Sequence, residues 1–203
     1  MKLFVTGIGT DVGKTIVSAI LTEALQADYW KPVQAGDLDH SDTHKAQALI
    51  SNSQSLFHPE QFRLNHPMSP HAAAERDGIN IQLSDFQTPQ TDKHLIIEGA
   101  GGLMVPLNNT DCLIDLIPQT GAEVVLVSRT YLGSINHTLL SIETLQQRNI
   151  PIKGIIFNGA ENKGTESVIL SMTGINYLGR IAEEKAFDKE VITNYANIFK
   201  HRL

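Results

Sequence analysis

The chain has 203 residues, 41% hydrophobic and 19% charged, with 16 Lys+Arg against 22 Asp+Glu and a formal net charge of -6. Such a mixture supplies enough apolar side chains for a buried core, which excludes disorder, and it is too polar for a bilayer protein. An acidic surface repels polyanions, so nucleic-acid coating is disfavoured, although one basic pocket can still hold phosphate.

In chain order, Lys2 is followed by a short apolar run and then glycines, without a signal core or a small-residue cleavage site, and no later run reaches the length of a membrane span. A cytoplasmic location without a membrane partner is the expectation. Short, β-branched apolar runs at 3–6, 29–33, 94–98, 123–128, 152–158 and 177–181 read as buried parallel strands. Helical spacing at 14–25, carried by Ile16, Val17, Ile20, Leu21, Ala24 and Leu25, and at 43–50 and 138–148 supplies crossovers between them. This alternation predicts a doubly wound, mostly parallel α/β sheet with helices on both faces, formed by one domain over 1–203.

Residues 51–92 differ. Pro59, Pro67, Pro70 and Pro89 predict loop and short helix, while Phe57, Phe62, Leu64 and Met68 make the stretch too apolar for a linker, so it reads as an insertion over the sheet's active edge. Cys112 is the single cysteine, which excludes a disulfide framework and a Cys-rich zinc module and suits a reducing cytosol. At 190–203, Val191, Ile192, Tyr195, Ile198 and Phe199 fall at helical spacing and read as a helix packed on its own domain.

The strand at 3–6 runs into Gly7-Ile8-Gly9-Thr10-Asp11-Val12-Gly13-Lys14-Thr15, which then opens a helix. Glycines let successive backbone N–H groups point inward, the helix adds its positive end, Lys14 supplies a mobile ammonium and Thr15 offers a hydroxyl to magnesium. Polyphosphate fits such a nest. The loop is one residue longer than the usual P-loop, so the pattern is recognised by its context of buried strand, glycines and amphipathic helix. Magnesium bound with a nucleotide asks for one or two carboxylates besides phosphate. Glu98 closes a strand before Gly99-Ala100-Gly101-Gly102, at the sheet edge where open α/β folds bind ligands. Asp37, Asp39 and Asp42 crowd the loop after the second strand, and sequence physics does not rank them. His40 and His44 read as exposed histidines rather than zinc ligands.

Lys31, just before Pro32, is read in two ways: as a surface lysine with a buried stem, or as a second cation opposite Lys14 that steadies a migrating phosphoryl group or an acceptor anion. Gly133-Ser134-Ile135-Asn136-His137 precedes a helix and offers free N–H groups to a carboxylate, unless Ser134 or Asn136 serves simply as a helix cap. Asn158 ends a strand where it can meet a base; the guanine-reading Asn-Lys-x-Asp is replaced by Asn158-Gly159-Ala160-Glu161, which favours adenine.

Taken together, Thr10-Asp11-Val12-Gly13-Lys14-Thr15, Lys31-Pro32-Val33, Ser41-Asp42, Ser69-Pro70-His71, Glu98-Gly99-Ala100-Gly101-Gly102 and Gly133-Ser134-Ile135-Asn136-His137 resemble the dethiobiotin synthetase family over nearly the whole chain. The resemblance implies a P-loop NTPase-like fold and a cytoplasmic homodimer that makes a cyclic urea from 7,8-diaminopelargonic acid, CO2 and ATP with Mg2+. It implies nucleotide contacts at Asp11, Val12, Gly13, Lys14, Thr15, Ile16, Glu98, Gly99, Ala100, Gly101 and Asn158, and metal contacts at Thr15, Asp42 and Glu98. Lys31, Lys14 and Thr10 would act in catalysis. Thr10, Lys31, Ala35, Ser69, Gly133 and Asn136 would meet substrate, the last two across the dimer interface. Asp11 stands where the family often has Glu, and Ala35 where many members place serine. Two other classes compete: a partitioning-type nucleotide switch, which generally carries an additional lysine early in the loop, absent from Gly7-Ile8-Gly9-Thr10, and an amidoligase, which needs a nucleophilic cysteine context that Cys112 lacks.

Overall fold

The computed structural model describes residues 1–203. Its elements are β1 (Lys2–Gly7), α1 (Lys14–Leu25), β2 (Asp28–Trp30), β3 (Val33–Ala35), α2 (Asp42–Leu49), β4 (Phe57–His58), β5 (Phe62–Leu64), α3 (Pro70–Asp77), β6 (Leu95–Gly102), α4 (Leu113–Thr120), β7 (Glu123–Arg129), α5 (Ser134–Gln147), β8 (Ile152–Asn158), α6 (Lys163–Thr173), β9 (Tyr177–Ile181) and α7 (Lys189–Phe199). Seven strands form one sheet in the order β4-β2-β6-β1-β7-β8-β9, and all of its pairings are parallel.

Side chains on a strand alternate between faces, and the core divides accordingly. Leu3, Val5, Ile96, Val125 and Ile156 pack with Val17, Ile20 and Leu21 of α1 and Ile192 and Phe199 of α7. Phe4, Ile97, Leu126 and Phe157 pack on the opposite face with Leu113, Leu116 and Ile117 of α4. Both faces are therefore covered, which is why the strand sequences are apolar without alternation. The chain leaves β1 for α1 on one face and leaves β6 for α4 on the other. Between β1 and β6 the connections part, opening a crevice at the carboxyl ends of the strands.

The apolar run at 29–33 divides in two, because Pro32 has no N–H to give to the sheet. β2 ends at Trp30, and β3 leaves to pair with β5 in a separate two-stranded ribbon. The Pro32 carbonyl accepts from the N–H groups of Gln61 and Phe62 at 3.1 and 3.0 Å, which ties 51–92 to this departure. That stretch also supplies β4, the sheet's edge, and α3. Two helices were not anticipated from spacing. α4 carries Pro118 in its last turn, and α6 has a mixed pattern with only Glu166 and Ile169 buried. The C-terminal helix stops at Phe199 rather than continuing to 203. No helix is long and apolar enough to cross a membrane.

Candidate active site

The crevice holds a cavity of about 840 Å³. Thr10, Asp11, Gly13, Lys14, Thr15 and Ile16 form one wall, and Lys31, Ala35 and Asp42 form the facing one. Glu98, Ala100 and Gly101 make the floor, and Ser69 closes the side from α3. The middle of 51–92, through Pro67, Met68, Ser69 and Pro70, and the phosphate loop thus converge on one hollow.

The loop is held in its curl by its own contacts. Asp11 and Gly13 take positive φ, 57° and 94°, and Arg129 at the end of β7 donates to the Asp11 carbonyl at 3.1 Å. Lys14 donates to the Gly9 carbonyl at 2.9 Å. Burial, with Lys31 nearby, pulls the Lys14 pKa down to about 8 even though Glu98 opposes the shift. An anion against this ammonium would raise its pKa again. Asn158 donates to the Val12 carbonyl at 2.8 Å, and a Cβ at Gly13 would lie 2.2 Å from the same amide nitrogen. Glycine at 13 is therefore required both by its backbone angle and by this close approach.

Glu98 is fully buried, and its carboxylate gathers three donors. Thr15 Oγ1 and Lys31 Nζ lie 2.9 and 3.2 Å from Oε1, and the Tyr29 hydroxyl lies 3.0 Å from Oε2. Lys31 also meets Asp42 Oδ2 at 2.9 Å, with only 4% of its side chain exposed, so the surface-lysine reading is overturned. Burial alone would depress the Lys31 pKa, but Glu98 and Asp42 outweigh it and hold the ammonium above its ordinary range. Asp42 is held low, because Lys31 outweighs the effect of burial on its carboxyl. Burial, then Glu98, pushes the Tyr29 phenol well above its usual value, so it stays a neutral donor.

The structure ranks the three aspartates. Asp42 opens α2, capped by Ser41, whose hydroxyl donates to buried Glu60 at 2.7 Å, and the Asp42 N–H donates to the Gln34 side chain at 3.2 Å. Asp37 also borders the cavity but is exposed, 4.0 Å from Lys45, and Asp39 is exposed. His44 Nδ1 accepts from the Ser41 N–H at 3.2 Å. No three His, Cys, Asp or Glu side chains gather anywhere in the chain, which excludes an all-protein cage. Two carboxylates linked through Lys31, with a hydroxyl on one of them, instead suit a hard cation that takes its other oxygens from phosphate and water. Thr15, Asp42 and Glu98 would hold it.

Other residues stand apart. Val12 is buried behind the loop, and Gly99 packs where a Cβ would come within 2.9 Å of Leu113 and of Phe4, so its smallness serves packing. Gly133 and Asn136 are exposed at the start of α5 and do not border this cavity. Neither Ser134 nor Asn136 caps α5, whose N-cap is Gly133; the Ser134 hydroxyl instead accepts from the Tyr131 N–H at 3.3 Å. Ser69 makes no capping bond and keeps its hydroxyl for the cavity. Cys112 precedes α4, and burial raises its thiol pKa, which is no setting for a nucleophile. Tyr29, Gln34 and Arg129 were missed by sequence reasoning. For Tyr29 a signal existed: it lies two residues before Lys31, and strand alternation points both side chains to one face.

The profile of a family described as an AAA domain matches residues 1–191. An ATP-dependent dethiobiotin synthetase BioD of Christiangramia forsetii is 57% identical over 200 residues, covering 98% of this chain and 96% of the relative. The chain belongs to the dethiobiotin synthetase family. A second such synthetase, from Cytophaga hutchinsonii, is 54% identical, with 96% and 95% of the two chains covered. Solved structures share the fold of this synthetase-family chain at much lower identity. A putative plasmid partition protein from Borrelia burgdorferi bound to AMPPNP has a TM-score of 0.61 at 15% identity, covering 98% of this chain and 96% of that one. The septum site-determining protein MinD with Mg-ADP from Pyrococcus horikoshii has 0.57 at 12%, covering 97% and 95%.

Proposed function

We propose that this chain catalyses ATP-dependent closure of the dethiobiotin ring from 7,8-diaminopelargonic acid and CO2. The observation that carries the reading is Lys31, buried at the Glu98–Asp42 pair on the wall facing Lys14. One amine of the substrate adds to CO2 and forms a carbamate. The γ-phosphoryl group then moves to a carbamate oxygen, leaving ADP and a carbamic-phosphoric anhydride. The second amine attacks the carbonyl carbon, the C–O bond to phosphate breaks, and phosphate departs as the cyclic urea closes.

In this scheme the amides of 7–15 and the Lys14 ammonium bind the phosphates, and Lys31 neutralises charge that grows on the carbamate and the phosphoryl group in flight. Thr10 and Ser69 orient the diamine by their hydroxyls, while the methyl of Ala35 leaves that part of the wall without a donor. Magnesium, when bound, supplies charge neutralisation on the β- and γ-phosphates. Asn158, whose amide donates to the Val12 carbonyl beside Gly13, would meet the adenine. The chain works as one domain, in the cytoplasm, as a homodimer whose Gly133–His137 turn reads the substrate's carboxylate tail in the partner's cleft. Exposed Leu132, Tyr131 and Leu140 on that side of α5 favour such an interface.

The switch reading draws on fold likeness alone. Incubating the purified protein with the diamine, bicarbonate and MgATP tests the choice: dethiobiotin and ADP should form in equal amounts, with ATP turnover dependent on the diamine. Turnover indifferent to the diamine would reject the ligase in favour of the switch.

A further inference from the structure

Glu98 stands at the centre of the site, yet the terminal torsion of a glutamate is broad and two-fold, so the plane of its carboxylate is set by its partners rather than by its own rotamer. Two donors, Thr15 and Lys31, approach Oε1 from the cavity side. Both belong to groups that would also contact nucleotide or substrate, so neither is a fixed anchor through the reaction. The only donor to Oε2 is the Tyr29 hydroxyl at 3.0 Å, and both residues are fully buried.

The tyrosine ring is itself held. Tyr29 pairs with Phe57 across the edge of the sheet, and the rings lie 5.1 Å apart at 34°. The β2 backbone is fixed on its other side by β6, with Trp30 opposite Ile97. A chain of rigid contacts therefore runs from β4 through the Tyr29 ring to the rear oxygen of Glu98. This support lies entirely outside the cavity.

We infer that Tyr29 is a positioning residue, whose hydroxyl locks the plane of the Glu98 carboxylate so that Oε1 is presented to the cation in the cleft. The inference rests on the reading of Glu98 as a metal contact. It also gives the two-residue strand β4 a purpose: Phe57 steadies the ring that steadies the carboxylate.

The test measures binding rather than turnover. Mn2+, a paramagnetic stand-in for magnesium, is titrated against the protein with ADP by electron paramagnetic resonance, and ADP binding without metal is followed by fluorescence of Trp30, the sole tryptophan. Tyr29→Phe should weaken Mn2+ binding about tenfold, in the range of other outer-shell partners of metal ligands, while metal-free ADP affinity stays within about twofold. Glu98→Gln should weaken Mn2+ binding further. Phe57→Leu, which keeps the hydroxyl but loosens the ring, should produce a smaller loss in the same direction and covers the case in which Tyr29→Phe does not fold. Unchanged Mn2+ affinity in Tyr29→Phe or, failing its folding, in Phe57→Leu, beside a weakened Glu98→Gln, would overturn the role of Tyr29 alone. Unchanged affinity in Glu98→Gln would overturn the metal reading and this inference with it.

Discussion

At the β2–β6–β1 side of the sheet, Lys31 and Glu98 sit almost sealed from solvent with Asp42 beside them, and Lys14 buried nearby. At the β8–β9 end, Arg180 meets Glu166 at 2.7 Å and Glu161 at 3.3 Å, with 23% of the arginine side chain exposed. Hydrogen bonding to Glu166, more than any other influence, raises the Arg180 pKa. Desolvated charges are costly unless closely partnered, so the crevice holds an arrangement that stability alone would not select. Partly exposed pairs cost little and contribute little. The difference teaches where function lies: an ammonium buried between two carboxylates stands where phosphate and metal would meet it, whereas buried Glu166 is matched by a partly exposed arginine.

The sharpest way to break this contrast is Lys31→Gln. Removing the buried ammonium should lower kcat by about 10²–10³-fold, as loss of transition-state charge stabilisation does, with ADP affinity changed only a few-fold. Equal losses in turnover and nucleotide binding, read by steady-state kinetics and calorimetry, would take Lys31 out of the chemistry. A smaller effect is expected of Gly13→Ala. Strain at φ 94° and contact with Asn158 should weaken ADP binding about tenfold, equivalent to ~1.4 kcal/mol and within the usual cost of a strained backbone residue. Normal affinity in equilibrium dialysis would mean that the loop does not need its left-handed turn.

How much of this was legible follows from sequence separation. The phosphate loop is contiguous, so its nest and its lysine could be read from 7–15 directly. Lys31 could not be placed by itself, because its burial depends on a carboxylate 67 residues away and on the departure of the chain at Pro32. Likewise Asp42 outranks Asp37 and Asp39 only through Gln34, Ser41 and Lys31, which fold brings around it. The strand cores were readable from apolar runs, whereas α4, with Pro118 in its last turn, was not.

Away from the crevice, Asp28 at the amino end of β2 gives a pH test. Burial would raise its carboxyl, but the Thr91 hydroxyl, the Leu56 N–H and Lys93 outweigh it and hold the pKa below the ordinary 3.8. A depressed folded pKa adds stability above the unfolded pKa, and that contribution is lost as pH falls through the folded one. Thr91→Ala should therefore cost about 1 kcal/mol at neutral pH, with a deficit that narrows below about pH 4. Urea unfolding at several pH values reads it, and a deficit that persists undiminished in acid would remove the Asp28 link. The smallest effect belongs to Arg180→Ala: about 1 kcal/mol or less of stability and unaltered turnover. A tenfold loss of activity there would erase the contrast between the two ends.

The decisive measurement is a crystal structure with a nonhydrolysable ATP analogue, Mg2+ and the diamine. Density for the triphosphate within the amides of 7–15, with the cation contacted by Thr15, Asp42 and Glu98 and the amines facing Lys31, is the expected result. A triphosphate bound elsewhere, or a diamine remote from Lys31, would contradict it.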